Sequence, residues 1–491
     1  MTRGQTASPP RKGVGVYNVV VIGGGTAGLV TAAGTSGLGG RVALIERDRM
    51  GGECLNTGCV PSKALVSSAR VVDQMRHAAE WGLKAIEPEF DFDAVFARMR
   101  DRRARIAPHD SQERFEGLGV DVFRGQAVFA SPHEVRVDGV ALTARNVVIA
   151  AGSRPAVPPI PGLEETPFYT NETIFDALPG KPARLAIVGG GPIGCELAQV
   201  FARLGVRVTI LQRCPQILRR EDSDAAGAVR RRLEAEGVTV LTDARVKSAR
   251  RSGDAIQLTY EQEPDAGRSV ECDALLLAAG RSPNTDGLNL ERAGVAFTKR
   301  GVTVNAYLQT SQPHIYAAGD ITGLHHFTHM ADHHARTVVR NILFPWFKAR
   351  REDSVVPWCT YTSPEVARVG LNEDQARERG IAYDLFTQDL KDLDRAVLEE
   401  AAIGFAKVLT ARGSDRILGV TLVCERAGDL LSEFTLAMKT NIGLKGIAKT
   451  IHPYPTFAEI ARKVADQQQR SRLTPFAKRL FTWLYRRRRK G

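Results

Sequence analysis

An α/β fold, made of two strand–turn–helix units followed by an α+β domain, is predicted by three features of the sequence. Val16 to Ile22 is a β-branched run leading into Gly23-Gly24-Gly25-Thr26-Ala27-Gly28 and then an Ala-rich helical stretch. Leu185 to Val188 repeats this arrangement ahead of Gly189-Gly190-Gly191-Pro192-Ile193-Gly194. From about Ser354 the pattern changes to strands, Phe405 to Leu409 and Ile417 to Val423 among them, with helices between. A chain of 491 residues exceeds what one core supports and implies about three domains, at roughly 150 residues each.

The first unit has its glycines at Gly23, Gly25 and Gly28, where a tight turn, close backbone approach and helix–strand packing require them. About twenty residues on, Arg41 to Ile45 reads as a second strand with Glu46 at its end, the place of an acid that hydrogen-bonds a ribose hydroxyl. The second unit has Gly189, Gly191 and Gly194, then the strand Val206 to Leu211. One such turn is weak evidence; two, each between strand and helix, indicate two Rossmann-like dinucleotide-binding units. Asn146 to Ala151 ends in Gly152-Ser153-Arg154-Pro155, and Ala274 to Ala279 ends in Gly280-Arg281-Ser282-Pro283, which reads as a pair of crossovers between domains. Ile315 to Asp320 is a further strand with an acid at its carboxyl end, where α/β sheets hold ligands.

Composition excludes other classes. No run of about 18 apolar residues is present, and the first fifteen residues are polar and basic, so they read as a frayed tail of a cytoplasmic protein. The net charge of +12 lies largely in Gln467 to Gly491, which has nine Lys or Arg and no acid, so the body offers no surface for nucleic acid. Of seven cysteines, Cys195, Cys214, Cys272, Cys359 and Cys424 are scattered singly, unlike a secreted disulfide scaffold.

Cys54 and Cys59 stand close together in Gly51-Gly52-Glu53-Cys54-Leu55-Asn56-Thr57-Gly58-Cys59-Val60-Pro61-Ser62-Lys63. Pro61 suits a first helical turn, which puts Cys59 at a helix N-terminus where its thiolate is stabilised. Four intervening residues, two of them small, let the sulfurs approach bonding distance.

This segment, with the two nucleotide units, resembles the class I pyridine nucleotide-disulfide oxidoreductases, the group of glutathione reductase, dihydrolipoamide dehydrogenase and mercuric reductase, over nearly the whole chain. The resemblance implies FAD on the first unit, contacted by Gly23, Gly25, Gly28, Glu46, Gly152 and Asp320. It implies that Cys59 is the sulfur beside the flavin and Cys54 the interchange thiol, with Lys63 near flavin N5 and paired with Glu196. It further implies a homodimer with a nicotinamide domain inserted in the FAD domain: 16–160 and 282–352 for FAD, 161–281 with Gly280 at its exit for NAD(P)H, and 353–466 for the interface.

At the end of the second unit's strand stand Gln212 and Arg213 instead of an acid, with Arg219 six residues on, which favours the 2′-phosphate of NADPH. Near the C-terminus the family's His-Pro-Thr segment becomes Tyr454-Pro455-Thr456, followed by Glu459. Tyr454 thus occupies the place of the acid–base histidine, and a phenol is a poor base at neutral pH. His452 substitutes only if the loop is re-aimed; local packing is the expected role. Val356-Pro357-Trp358-Cys359-Thr360 is similar to the mercuric reductase branch, yet no cysteine follows Cys424, and that branch's C-terminal pair is missing. The acceptor is left open among a small disulfide, a metal ion and a quinone. A redox sensor and an NAD-linked lipoamide-type dehydrogenase are the rival readings.

Two further features stand outside these motifs. His325, His329 and His333 recur at four-residue spacing and read as the flank of a helix in preference to a metal site. In the basic tail, Leu473, Phe476, Leu480, Trp483 and Leu484 share a helical face that suits either an anionic membrane or the partner subunit.

Overall fold

The computed structural model describes residues 12–263 and 265–489. The expected frayed tail lies outside the described residues over 1–11, as do Lys490 and Gly491 at the other end.

Val16–Ile22 is the central strand of the first sheet. It pairs in parallel with Val42–Glu46 on one side and Val140–Ile149 on the other, so that Ile22 stands level with Ile45 and Ile149. Val120–Arg124 extends the sheet beyond Val42–Glu46. Val140–Ile149 begins six residues before the predicted Asn146, because its first half pairs antiparallel with Glu134–Val137 and alternates between exposed and buried positions. Ile315–Ala317 then joins the same sheet beside Val140–Ile149, Ile315 opposite Val147. The chain between them builds a second parallel sheet in the order Thr239–Leu241, Arg207–Leu211, Arg184–Val188, Ala274–Leu277. The second unit is therefore inserted in the first. Its entry and exit are bound together, since Ser153–Pro155 pairs antiparallel with Arg281–Pro283.

Seven helices matter for the site. Helix α1 (Thr26–Gly37) follows the first glycine turn, α2 (Gly52–Asn56) carries Cys54, and α3 (Cys59–Arg76) begins at Cys59. Helix α4 (Pro192–Arg203) follows the second glycine turn, and α5 (Thr328–Leu343) lies against α1. The last two are α6 (Glu459–Ser471) and α7 (Pro475–Arg488). Leu65, Ala69 and Val72 of α3 share a core with Leu197, Ala198 and Phe201 of α4. Each large apolar side chain buried there contributes about 1.5–3 kcal/mol, which fixes α3 on α4.

An antiparallel five-stranded sheet, Pro357–Thr360, Glu365–Gly370, Ile417–Cys424, Phe405–Ala411 and Tyr383–Asp389, forms the last domain. The predicted start of the tail at Gln467 falls inside α6, which keeps its buried face as far as Gln468, only 2% exposed. Leu473 precedes α7 and lies in the turn between the helices, so it is not part of that helix's apolar face.

Candidate active site

Both glycine turns have the shape of a nucleotide cradle. Gly23 has φ +111° and Gly189 φ +116°, and a Cβ on them would lie 2.3 Å from the Ala150 carbonyl oxygen and 2.4 Å from that of Ala278. At Gly28 and Gly194 a Cβ would meet the carbonyl oxygens of Gly23 and Gly189 at 1.8 and 2.0 Å, so each helix starts hard against its own turn. In front of the helix ends there is space instead. A Cβ at Gly191 would touch nothing within 4 Å, and one at Gly25 only Gly52 Cα at 3.6 Å. Free N–H groups facing open space at a helix N-terminus suit a phosphate, so the residues fit the dinucleotides. Glu46 is nine-tenths buried, with Oε2 accepting from the Gly24 N–H at 2.6 Å and Oε1 from that of Asp48 at 2.7 Å. In the second unit Gln212 Oε1 accepts from the Gly190 N–H at 3.1 Å, while Arg213 and Arg219 are exposed. Gly152 and Gly280 lie on the crossover strands' flanks, and Asp320 Oδ2 accepts from the Ser153 hydroxyl at 2.7 Å.

The cysteine segment is folded onto the first cradle. Gly52 faces Gly25, where an added Cβ would come within 2.6 Å of the Gly25 Cα. The Asn56 amide donates to the carbonyls of Met50 (2.9 Å) and Gly52 (2.8 Å), closing the short α2. Cys54 and Cys59 are free thiols hydrogen-bonded to each other. The proton is shared unequally. The hydrogen bond from Cys54, then Thr328 and the charge of Lys63, bring the Cys59 thiol down to about 6 against the opposing effect of burial. The same bond and burial push Cys54 well up. Thr328, at the start of α5, has its hydroxyl 3.5 Å from Cys59 Sγ.

One turn along α3, Lys63 Nζ donates to Glu196 Oε2 at 2.6 Å, and the other carboxylate oxygen accepts from the Tyr361 N–H at 2.9 Å. The Lys63 ammonium also lies over the Tyr361 ring, 4.5 Å from its centre. The α3–α4 core thus delivers a cation and its counter-charge beside the thiolate.

Sequence reasoning missed the partner of Glu53, the residue before Cys54. Arg281 grips the Glu53 carboxylate with both terminal nitrogens, Nη1 at 2.5 Å, and donates from Nε to Ser153 Oγ at 2.8 Å. Asn171 adds a hydrogen bond to Glu53 Oε1 at 2.9 Å. Burial raises the Glu53 carboxyl to about 7 against the pull of Arg281. An acid inside the glycine-rich segment and an arginine directly after Gly280 were the available signals.

The C-terminal segment is turned away from these groups within the chain. Tyr454 is 70% exposed and donates to Asp394 Oδ2 at 2.9 Å, which raises its phenol further. His452 is bound locally, Nδ1 to the Thr450 carbonyl at 3.0 Å and Nε2 to Glu433 at 2.9 Å. Glu459 is buried; Oε1 accepts from Arg462 at 2.8 Å and Oε2 has no partner among the described residues. Among the histidines, His329 Nε2 meets the Pro357 carbonyl at 2.7 Å and His333 Nε2 accepts from the Glu352 N–H at 3.3 Å. His325 lies on the wall of a cavity shared with Trp358 and Met438.

Residues 17–337 match the pyridine nucleotide-disulphide oxidoreductase family, and residues 356–465 match its dimerisation domain. A mercuric reductase of Streptomyces lividans is 35% identical over 92% of this chain and 96% of its own length. A dihydrolipoyl dehydrogenase of Chlamydia muridarum is 34% identical over 90% and 95%. Among solved structures, the HOCl-induced flavoprotein disulfide reductase RclA from Escherichia coli superposes with a TM-score of 0.82 at 30% identity, covering 92% of this chain and 99% of that one. LpdA from Mycobacterium tuberculosis gives 0.84 at 27% identity, covering 92% and 100%. The chain belongs to the pyridine nucleotide-disulphide oxidoreductase family and is a homodimeric, FAD-dependent NAD(P)H oxidoreductase.

Proposed function

We propose that the enzyme draws electrons from NADPH into a Cys54–Cys59 disulfide and passes them to a thiophilic metal ion. In this reading 16–160 and 282–352 hold FAD, 161–281 hold NADPH, and 353–466 join two subunits. FAD, when bound, supplies the relay between nicotinamide and disulfide. Gly23, Gly25, Gly28, Glu46 and Asp320 hold it; Gly189, Gly191, Gly194, Arg213 and Arg219 hold NADPH, the two exposed arginines meeting the 2′-phosphate.

The observation that carries the reading is the placement of Cys59 at the start of α3, beside Cys54, Thr328 and the Lys63–Glu196 pair, surroundings that lower Cys59 to about 6 and raise Cys54. NADPH and the disulfide then give NADP+, one thiolate at Cys59 and one thiol at Cys54, with no further proton required. Lys63 holds positive charge beside that thiolate, and Glu196 holds Lys63 in place. Two copper(II) ions reoxidise the pair to the disulfide, yielding two copper(I) and one proton. A metal acceptor is favoured over an organic disulfide by the C-terminal segment, where Tyr454 stands in the histidine's place and His452 is held by Thr450 and Glu433. A thiolate bound to metal needs no general acid to leave. Relatives point the same way, since mercuric reductases are among them and RclA has been solved as a Cu(II) complex. The cytoplasm is the compartment, where the pair stays reducible. A place at the inner face of a membrane is supported by the exposed basic tail and brings a quinone within reach as an alternative acceptor.

Anaerobic titration with NADPH and with NADH, followed by absorbance, tests the core of this reading. A long-wavelength thiolate–flavin band forms with NADPH, disappears in Cys59→Ser, and is discharged by copper(II) but not by glutathione disulfide. Bleaching without the band, unchanged in Cys59→Ser, overturns it. The Arg213→Gln/Arg219→Gln pair raises KM for NADPH about tenfold or more and leaves KM for NADH unchanged.

A further inference from the structure

Helix α7 takes no part in the transfer to copper, and it is a strongly exposed element with large apolar side chains. Its start is capped, the Thr474 hydroxyl accepting from the Ala477 N–H, with Pro475 in the first turn. The helix is thus locally specified, yet of its residues only Ala477 is partly covered. Phe476, Leu480, Trp483 and Leu484 stand at i, i+4, i+7 and i+8, one face of a helix, with Phe481 beyond its Leu484 side and Tyr485 on the far side. Phe476 is 76%, Trp483 53% and Tyr485 68% exposed. Lys478 and Arg489 lie on the opposite side, Arg479 and Arg486 flank the face beside Trp483, and the guanidinium of Arg487, on the face itself, lies 5.4 Å from the centre of the Trp483 ring. No acid occurs after Asp466, and no cation of α7 has a carboxylate partner among the described residues. The last buried side chain before α7 is Gln468, 2% exposed; Arg472 still donates to the Gly413 carbonyl at 3.5 Å, and α7 beyond it buries no residue.

We infer that α7 docks the enzyme on an anionic lipid surface, lying in the plane of the headgroups. An aromatic and leucine face supplies apolar burial, and a ring of unpaired cations supplies attraction to negative headgroups. No helix among the described residues is long and apolar enough to cross a membrane, so the contact is peripheral. The charge excess argues against a second copy of α7 as occupant, because two such helices repel each other. This inference is independent of the electron acceptor.

Co-sedimentation of the FAD-loaded enzyme with phosphatidylglycerol vesicles and with phosphatidylcholine vesicles tests it, with flavin absorbance in the pellet as the readout. Binding to the anionic vesicles only, weakened at high salt, is expected. Lys478→Gln/Arg479→Gln weakens it by about 30-fold at low salt, and Phe476→Ser/Trp483→Ser abolishes it, while both variants keep their flavin. Trp346→Ser/Phe347→Ser changes a different exposed aromatic cluster and leaves binding intact. Failure to bind anionic vesicles, equal binding to neutral ones, or loss of binding only in the Trp346/Phe347 variant overturns the inference. So does dissociation of the dimer in Phe476→Ser/Trp483→Ser, which would place α7 on the partner subunit.

Discussion

Lys63 and Glu196, 133 residues apart, meet at 2.6 Å because α3 and α4 share one core. Glu196 is 4% exposed, while the lysine end is partly wet. Glu196→Leu strands the ammonium and costs about 2 kcal/mol, less than the ~3–5 of a wholly buried pair, because solvent screens the Lys63 end. Urea unfolding measures this. Glu196→Gln removes the charge that opposes ionisation of Cys59, so the thiolate midpoint falls below its wild-type value.

The thiolate itself has a pH signature. Thiolate absorbance at 240 nm in the reduced enzyme rises with a midpoint near pH 6. Cys54→Ala removes the leading cause and moves the midpoint upward by at least about one unit. The folded value lies below the unfolded one, so the stability contributed by Cys59 is complete above about pH 9 and lost as pH falls through about 6. A midpoint left near 6 in Cys54→Ala excludes the hydrogen bond as the cause.

Arg281→Met leaves the Glu53 carboxylate without its cation. Glu53 is already raised to about 7, so folding disfavours its ionised form, with no penalty below about pH 4.5 and the full penalty above 7. The variant is therefore destabilised more at pH 8 than at pH 6, by about 1–3 kcal/mol at the higher value. Urea midpoints at the two pH values check this, and equal losses at both exclude the charge as the cause.

Gly28→Ala puts a methyl group 1.8 Å from the Gly23 carbonyl oxygen. Helix α1 has to move off its strand, at a cost of about 3 kcal/mol. The ratio of 450 nm to 280 nm absorbance in purified protein falls with it. Gly37→Ala, in the same helix with nothing within 4 Å, retains full flavin content.

What the sequence determined by itself were features decided within a few residues. The glycine turns, the acid after the second strand, and the placement of Cys59 at a helix start follow from local backbone geometry, which each short segment dictates alone. The Lys63–Glu196 pair was legible only through the family resemblance. Tertiary structure decided what depends on packing between distant segments. Ile315–Ala317 returns to the first sheet beside Val140–Ile149. Arg281 crosses 228 residues to Glu53, and the loop after Thr450 turns His452 onto Glu433. Such partners are chosen by which buried faces come together, and an ion pair between two distant side chains leaves no periodic mark in the sequence around either.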